Sequence, residues 1–236
     1  AAVLRAVELR GADFTGAQIG AALILDAQLA GVTFERLDAA GAMFIKCDLS
    51  GSILDGADLT KAIFLETPVR GASFVRAKLA KALFLTCHGE GARFDEAEAE
   101  NLRFVKDCAF EEATFRGAKL ARANFRGADL AGADFTDAAI DAGDFSEANL
   151  RGARLTRAVL RGALLVRTEL RDADLAGANL LGAILQKAGL RGASLAGANL
   201  ARADLLRVDV DEGTDLAGAL LDQIRFVKRE APHEPG

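Results

Sequence analysis

The residue types in this chain that could do chemistry are aspartates such as Asp48, Asp58, Asp129, Asp134 and Asp174, the thiols Cys47, Cys87 and Cys108, and the imidazoles of His88 and His233. Paired carboxyls serve acid–base catalysis when their surroundings keep one protonated and the other ionised. Clustered Cys and His hold zinc. The spacing supports neither. Each of these aspartates stands immediately before an apolar residue, at Leu49, Leu59, Leu130, Phe135 and Leu175, so the acids recur because something else recurs. The histidines form no paired motif, and no Gly-rich phosphate loop or nucleophile elbow occurs. Gly11, Gly16, Gly51, Gly56, Gly71 and Gly127 each stand two residues after an apolar position, where a turn is wanted. The chain is therefore read as no enzyme, with no cofactor and no metal.

What recurs is a grid of five residues. Phe14, Phe34, Phe44, Phe64, Phe74, Phe84, Phe94 and Phe104 lie at multiples of five from Leu4. Phe110, Phe115, Phe125, Phe135 and Phe145 lie on the same grid moved by one residue, and Phe226 lies on it after a further slip. From Leu150 to Leu205 leucine holds each grid position. Two residues before each of these centres stands a small residue, usually alanine, as at Ala12, Ala42, Ala57, Ala118 and Ala198. A period of five fits neither a helical stripe nor long two-residue alternation. It does fit a short strand plus a turn, with the centre and the residue two before it facing inward and the others outward. If four units close one square coil of about twenty residues, the stack is a parallel β-solenoid.

Units such as Ala128-Asp129-Leu130-Ala131-Gly132, Ala173-Asp174-Leu175-Ala176-Gly177 and Ala198-Asn199-Leu200-Ala201-Arg202 resemble the Ala-(Asp/Asn)-Leu-x-x consensus of pentapeptide repeat proteins. That resemblance implies an all-β fold, a right-handed quadrilateral parallel β-helix with four units per coil. It also raises two functions: a DNA-mimicking, gyrase-binding rod of the Qnr type that confers quinolone resistance, or a scaffold or adaptor module of a larger bacterial protein. The ending, through Leu195 to Leu200, Val208 to Gly213 and Leu216 to Leu221, looks like the ends of repeat domains in type VI secretion accessory proteins. A repeat already running at Leu4 without a cap implies a segment upstream.

One domain is expected over 1–228, with about eleven coils stacked at ~4.8 Å, and a disordered tail over 229–236. Six-residue steps from Phe104 to Phe110 and from Val210 to Leu216 predict one-residue bulges near 105–109 and 211–215. Numbering walls from Leu4, Phe44, Phe64, Phe84, Phe104, Phe125 and Phe145 stack on the first, and Phe14, Phe34, Phe74, Phe94, Phe115 and Phe135 on the third; only Phe110 departs. All the phenylalanines are read as core. Weak centres at Ala39, Gly89 and Ala99 leave the first half less well filled. The three cysteines share one inward column with Thr67 and Thr168 and are read as small buried hydrophobes.

The formal net charge is −5, from 34 acids and 29 bases, which leaves no basic stripe for nucleic acid. No apolar run is long enough for a membrane-spanning helix and no signal-peptide pattern opens the chain, so a cytoplasmic protein with no membrane contact is expected. Acids and bases alternate along the fourth wall, where Asp38, Asp58 with Lys61, Lys78 with Lys81, Glu98 with Glu100, and Lys119 with Arg122 follow one another. Such alternation favours local pairing over a phosphate-like field, so gyrase is the lesser reading.

The feature that no consensus requires lies on the outside of the first wall. Large apolar residues flank the centre in successive coils: Leu23 and Leu25, Met43 and Ile45, Ile63 and Leu65, Leu83 and Leu85, then Val105. The pattern lapses at Asn124 with Arg126 and at Asp144 with Ser146, then returns in phase at Leu164 with Val166, Ile184 and Leu206. A contiguous apolar column of this kind marks an interaction surface, for a protein partner or a homodimer.

Overall fold

The computed structural model describes residues 2–228; the expected tail at 229–236 lies outside them. Burial follows the grid. In the coil that starts at Ala62, the inward pairs Ala62 and Phe64, Thr67 and Val69, Ala72 and Phe74, and Ala77 and Leu79 are all fully buried, while the residues between them reach the surface. Parallel bridges on four walls join successive coils, mostly twenty residues apart, for example Gln28 to Asp48, Met43 to Ile63, Ile53 to Ser73 and Asp58 to Lys78; Pro68, which has no amide to donate, interrupts the second wall. The stack is a parallel β-solenoid of about eleven turns.

Regular strands occur on the first wall. β1 (Val3–Arg5), β2 (Leu23–Leu25), β3 (Met43–Ile45), β4 (Ile63–Leu65), β5 (Leu83–Leu85) and β6 (Arg103–Val105) form one parallel sheet in chain order. β7 (Asp204–Val208) and β8 (Arg225–Lys228) pair on the same wall at the far end. Elsewhere, and on this wall between β6 and β7, each unit contributes an isolated bridge between two turns. The turns explain the five-residue period. Two residues after most centres the backbone takes a left-handed conformation, as at Gly71 (φ 60°), Arg76 (φ 56°) and Lys81 (φ 61°). The next amide then donates to the centre's carbonyl: Ala72 to Val69 at 3.0 Å, Ala77 to Phe74 at 3.0 Å and Ala82 to Leu79 at 2.9 Å. Glycine adopts this conformation freely, which accounts for its recurrence at that place.

The core is a pair of aromatic ladders that touch. On the first wall Phe44, Phe64 and Phe84 stack at 5.1 and 4.4 Å, and Phe125 and Phe145 at 5.0 Å. On the third, Phe74, Phe94, Phe115 and Phe135 stack at 4.8, 4.8 and 4.7 Å. Across the core the two ladders meet edge to face, as between Phe64 and Phe74 at 6.1 Å. Two expectations need correction. Gly89 is no void: a Cβ there would overlap the Phe110 ring, so the one phenylalanine off both ladders fills the space left by the weakest centre. Phe226 is not core; it is 51% exposed, because no later coil of the described residues covers it.

The spacing between bridged residues changes twice along the stack. Arg103 pairs with Asn124, twenty-one residues on, whereas Ala109 pairs with Asp129, twenty on; the extra residue is taken up at Lys106 and Asp107, both left-handed. The second slip is held by Asp211, whose carboxylate accepts the amides of Gly192 at 2.9 Å and Gly213 at 3.1 Å. Thr214 completes it by donating to the Leu190 carbonyl at 2.9 Å. A register shift within β7, between Leu206 and Val208, was not signalled by the grid.

Candidate protein-interaction surface

Of the apolar residues singled out on the first wall, the nine from Leu23 to Val105 fall on β2–β6. Leu23, Met43, Ile63 and Leu83 are register partners in one row, and Leu25, Ile45, Leu65, Leu85 and Val105 in a second. All nine are half-buried, while Ile24, Phe44, Phe64, Phe84 and Phe104 between the rows face the core. The result is an unbroken apolar surface five strands long. Arg103, exposed, ends the first row. Beyond β6 the surface is broken: Asn124 and Asp144 accept the amides of Arg126 at 3.0 Å and Ser146 at 2.8 Å, closing polar turns where apolar side chains stood before. Leu164 (36% exposed), Val166, Ile184 and Leu206 then resume in phase, with Leu164 bridged to Asp144 and Ile184. They form a shorter second patch interrupted by Gln186, apart from the first.

Regular strands form here because bonds between coils replace those of the turn. Leu23, Met43, Ile63 and Leu83 offer no side-chain acceptor for the amide two residues on, so that amide is satisfied in the ladder. On this wall the turn bond is also not formed after Ile24, Phe44, Phe64 or Phe84. Instead the side chain of the inward column donates to those carbonyls from the next coil: Cys47 to Ile24 at 3.5 Å, Thr67 to Phe44 at 3.1 Å, Cys87 to Phe64 at 3.3 Å and Cys108 to Phe84 at 3.4 Å. The thiols are buried and free, as small hydrophobes would be, but they also donate, which sequence reasoning missed. The signal was present: Thr67 shares a single column with Cys47, Cys87 and Cys108. Burial pushes the Cys87 thiol up to about 12 and raises those of Cys47 and Cys108, so none is a ready nucleophile at neutral pH.

The rest of the surface is polar and internally paired. Arg157 holds Asp137 through two hydrogen bonds of 2.8 and 2.7 Å, and Arg161 holds Asp141 in the same way. These guanidinium groups keep both carboxyls below the usual range. Lys119 reaches Glu98 at 2.9 Å and Arg122 reaches Glu100 at 3.3 Å, so the opposite signs on the fourth wall do pair between coils there. Asp38, Asp58, Lys61, Lys78 and Lys81 form no ion pair among the described residues. Burial alone would raise the Asp134 carboxyl, but the hydroxyl and amide of Thr136 and the Arg116 guanidinium outweigh it, and the net direction is down. The aspartates one residue before a centre accept the amide one residue after it, as Asp58 does from Thr60 at 3.0 Å and Asp174 from Ala176 at 2.9 Å. They are turn-closing groups.

Among the described residues no cluster of three His, Cys, Asp or Glu has the arrangement for a metal ion. Among the described residues no helix is long and apolar enough to cross a membrane.

No curated protein sequence matches the chain. Among solved structures, HetL, a pentapeptide repeat protein involved in heterocyst differentiation regulation from the cyanobacterium Nostoc, is 29% identical, with a TM-score of 0.52 over 95% of this chain and 86% of that one. QnrB1, a plasmid-mediated fluoroquinolone resistance protein, is 21% identical, with a TM-score of 0.51 over 93% of both chains, a likeness of fold alone. The family model for pentapeptide repeats matches in 8 copies over residues 26–64, 108–141, 144–180 and 173–210. Those matches span more than half of the sequence, and the chain belongs to the pentapeptide repeat family.

Proposed function

We propose that this chain is a non-enzymatic scaffold that binds another protein, or a second copy of itself, through the first wall of its β-solenoid. The observation that carries this reading is the double row of half-buried apolar side chains on β2–β6, in register over five coils. Nothing in the repeat demands it, because the inward ladder already closes the core and the consensus places Asp or Asn at the outward slots. A rigid, flat wall excludes water from whole side chains without rearranging, so little ordering cost opposes binding. Free, buried thiols suit a reducing, cytoplasmic setting.

The gyrase-directed reading ranks second. It is favoured by the shared rod architecture with QnrB1. Weighing against it, Asp137, Asp141, Glu98 and Glu100 are each neutralised by a base from the next coil, so the acids do not add into one extended negative face. A link to type VI secretion rests on the look of the chain's ending and adds nothing to the mechanism.

The test is a photocrosslinker placed at Leu65 and, as a control, at Ile53, a lone exposed apolar residue (37%) on the third wall. A protein adduct from Leu65 and none from Ile53 is the expected result. Equal adducts from both positions, or none from Leu65, would remove the first wall as the binding surface.

A further inference from the structure

The unbroken stripe on β2–β6 spans four coil steps, about 19 Å, and three residues of strand, about 10 Å. Pressed against the same stripe of a second rod, it offers a footprint of roughly 200 Å², whereas a stable protein pair needs about 800 Å² per partner. A second wall laid here would make most of its contact outside the stripe, whereas a single slender element is matched to it. An α-helix is about 10 Å across and rises 1.5 Å per residue, so about 13 residues of one helix lie along the stripe and match its width. The two apolar rows run along the rod axis on either side of the strand centres, whose side chains turn inward.

Charge at the rims adds a second constraint. On the rim before the strands, Lys61 and Lys81 occupy the same place in adjacent coils, both exposed and neither in an ion pair among the described residues. On the opposite rim Lys46 is turned towards Glu66 at 3.8 Å, which leaves that side near neutral. Building on the first-wall reading, we infer that the double apolar row takes an amphipathic α-helix of a partner protein, laid along the rod axis, with carboxylates facing Lys61 and Lys81. The helix buries leucine-like residues spaced three and four apart between the rows, and its acidic flank sets its orientation.

The probe is a synthetic peptide of about 16 residues with leucine at alternating three- and four-residue spacing and glutamates on its flanks. A version with lysine flanks and a scrambled version serve as comparisons. Fluorescence anisotropy should show saturable binding of the glutamate peptide alone, with a rise in peptide helicity by circular dichroism. Ile45→Gln with Leu85→Gln should weaken binding by at least about tenfold, and Lys61→Glu with Lys81→Glu should transfer preference to the lysine-flanked peptide. Absence of binding, equal binding of both charge versions, or binding that survives the two glutamine substitutions would overturn the inference. Light scattering separates this from the broader reading. If the wild type self-associates and the glutamine variant does not, the helix is wrong and the first wall stands; if neither peptide nor Leu65 crosslinker finds a partner, both fall.

Discussion

Gly89 and Phe110 show how one irregular residue is made good by another a coil away. The Phe110 ring occupies the space over Gly89 and stacks on Phe104 at 4.2 Å, beside the slip that brings it there. Gly89→Ala should therefore cost about 1–3 kcal/mol by overpacking, and Phe110→Leu should recover part of that loss in the double variant; a neutral Gly89→Ala by chemical denaturation would refute the contact. Phe84, which touches Phe64, Phe94, Phe104 and Phe110, should cost about 3–5 kcal/mol on truncation to alanine, because rings held on several sides cannot close the gap. The thiols give a pH signature. Cys87 titrates near 12 when folded and near its ordinary 9.0 when unfolded. In that window the unfolded chain has lost a proton that the folded chain keeps, so the stability due to this group is full below pH 9.0 and declines as pH rises towards 12. Cys87→Thr, which repeats the Thr67 arrangement in the same column, should flatten that decline while keeping the bond to the Phe64 carbonyl; an unchanged alkaline profile would count against the assignment.

At the scale of the element, the wall rather than the single strand is the unit. The five-residue spacing made the inward and outward faces and the two aromatic ladders legible, because burial imposes the same size and polarity on every coil. What was not legible was which wall would form regular strands, since Leu164 and Ile184 lack acceptors as Leu23 and Met43 do, yet remain isolated bridges. There Thr168 and Ala188 close the turn by donating their amides to Leu165 at 3.4 Å and Leu185 at 3.0 Å. The choice depends on hydrogen bonds between coils, which no local pattern encodes. The exposure of Phe226 was equally hidden, because a grid position says nothing of whether a coil lies above it. Turn strain provides a test of the element. Thr86 is a β-branched residue held at φ 53°. Thr86→Gly should stabilise the protein by about 1 kcal/mol, measured by thermal unfolding; a loss of stability would mean that the left-handed turn is not the native conformation there.

For the whole molecule, charge and shape point the same way. Acids and bases neutralise one another between coils, while the first wall stays apolar over five strands, so recognition should be dominated by buried area rather than by long-range steering. Purified protein should leave gyrase supercoiling unaffected at micromolar concentration, and clear inhibition relieved by neutralising wall aspartates would reverse the ranking of functions. The apolar stripe was legible as a periodic departure from the consensus; its length was set by the polar turns at Asn124 and Asp144. The most direct test of its role compares the wild type with Ile45→Gln plus Leu85→Gln for protein association and thermal midpoint together. These residues lie outside the core ladder and two coils apart, so the midpoint should move by no more than about 3 °C while crosslinking from Leu65 is lost. Association that persists in the variant, or a collapse of the midpoint that makes these side chains part of the core, would contradict the account.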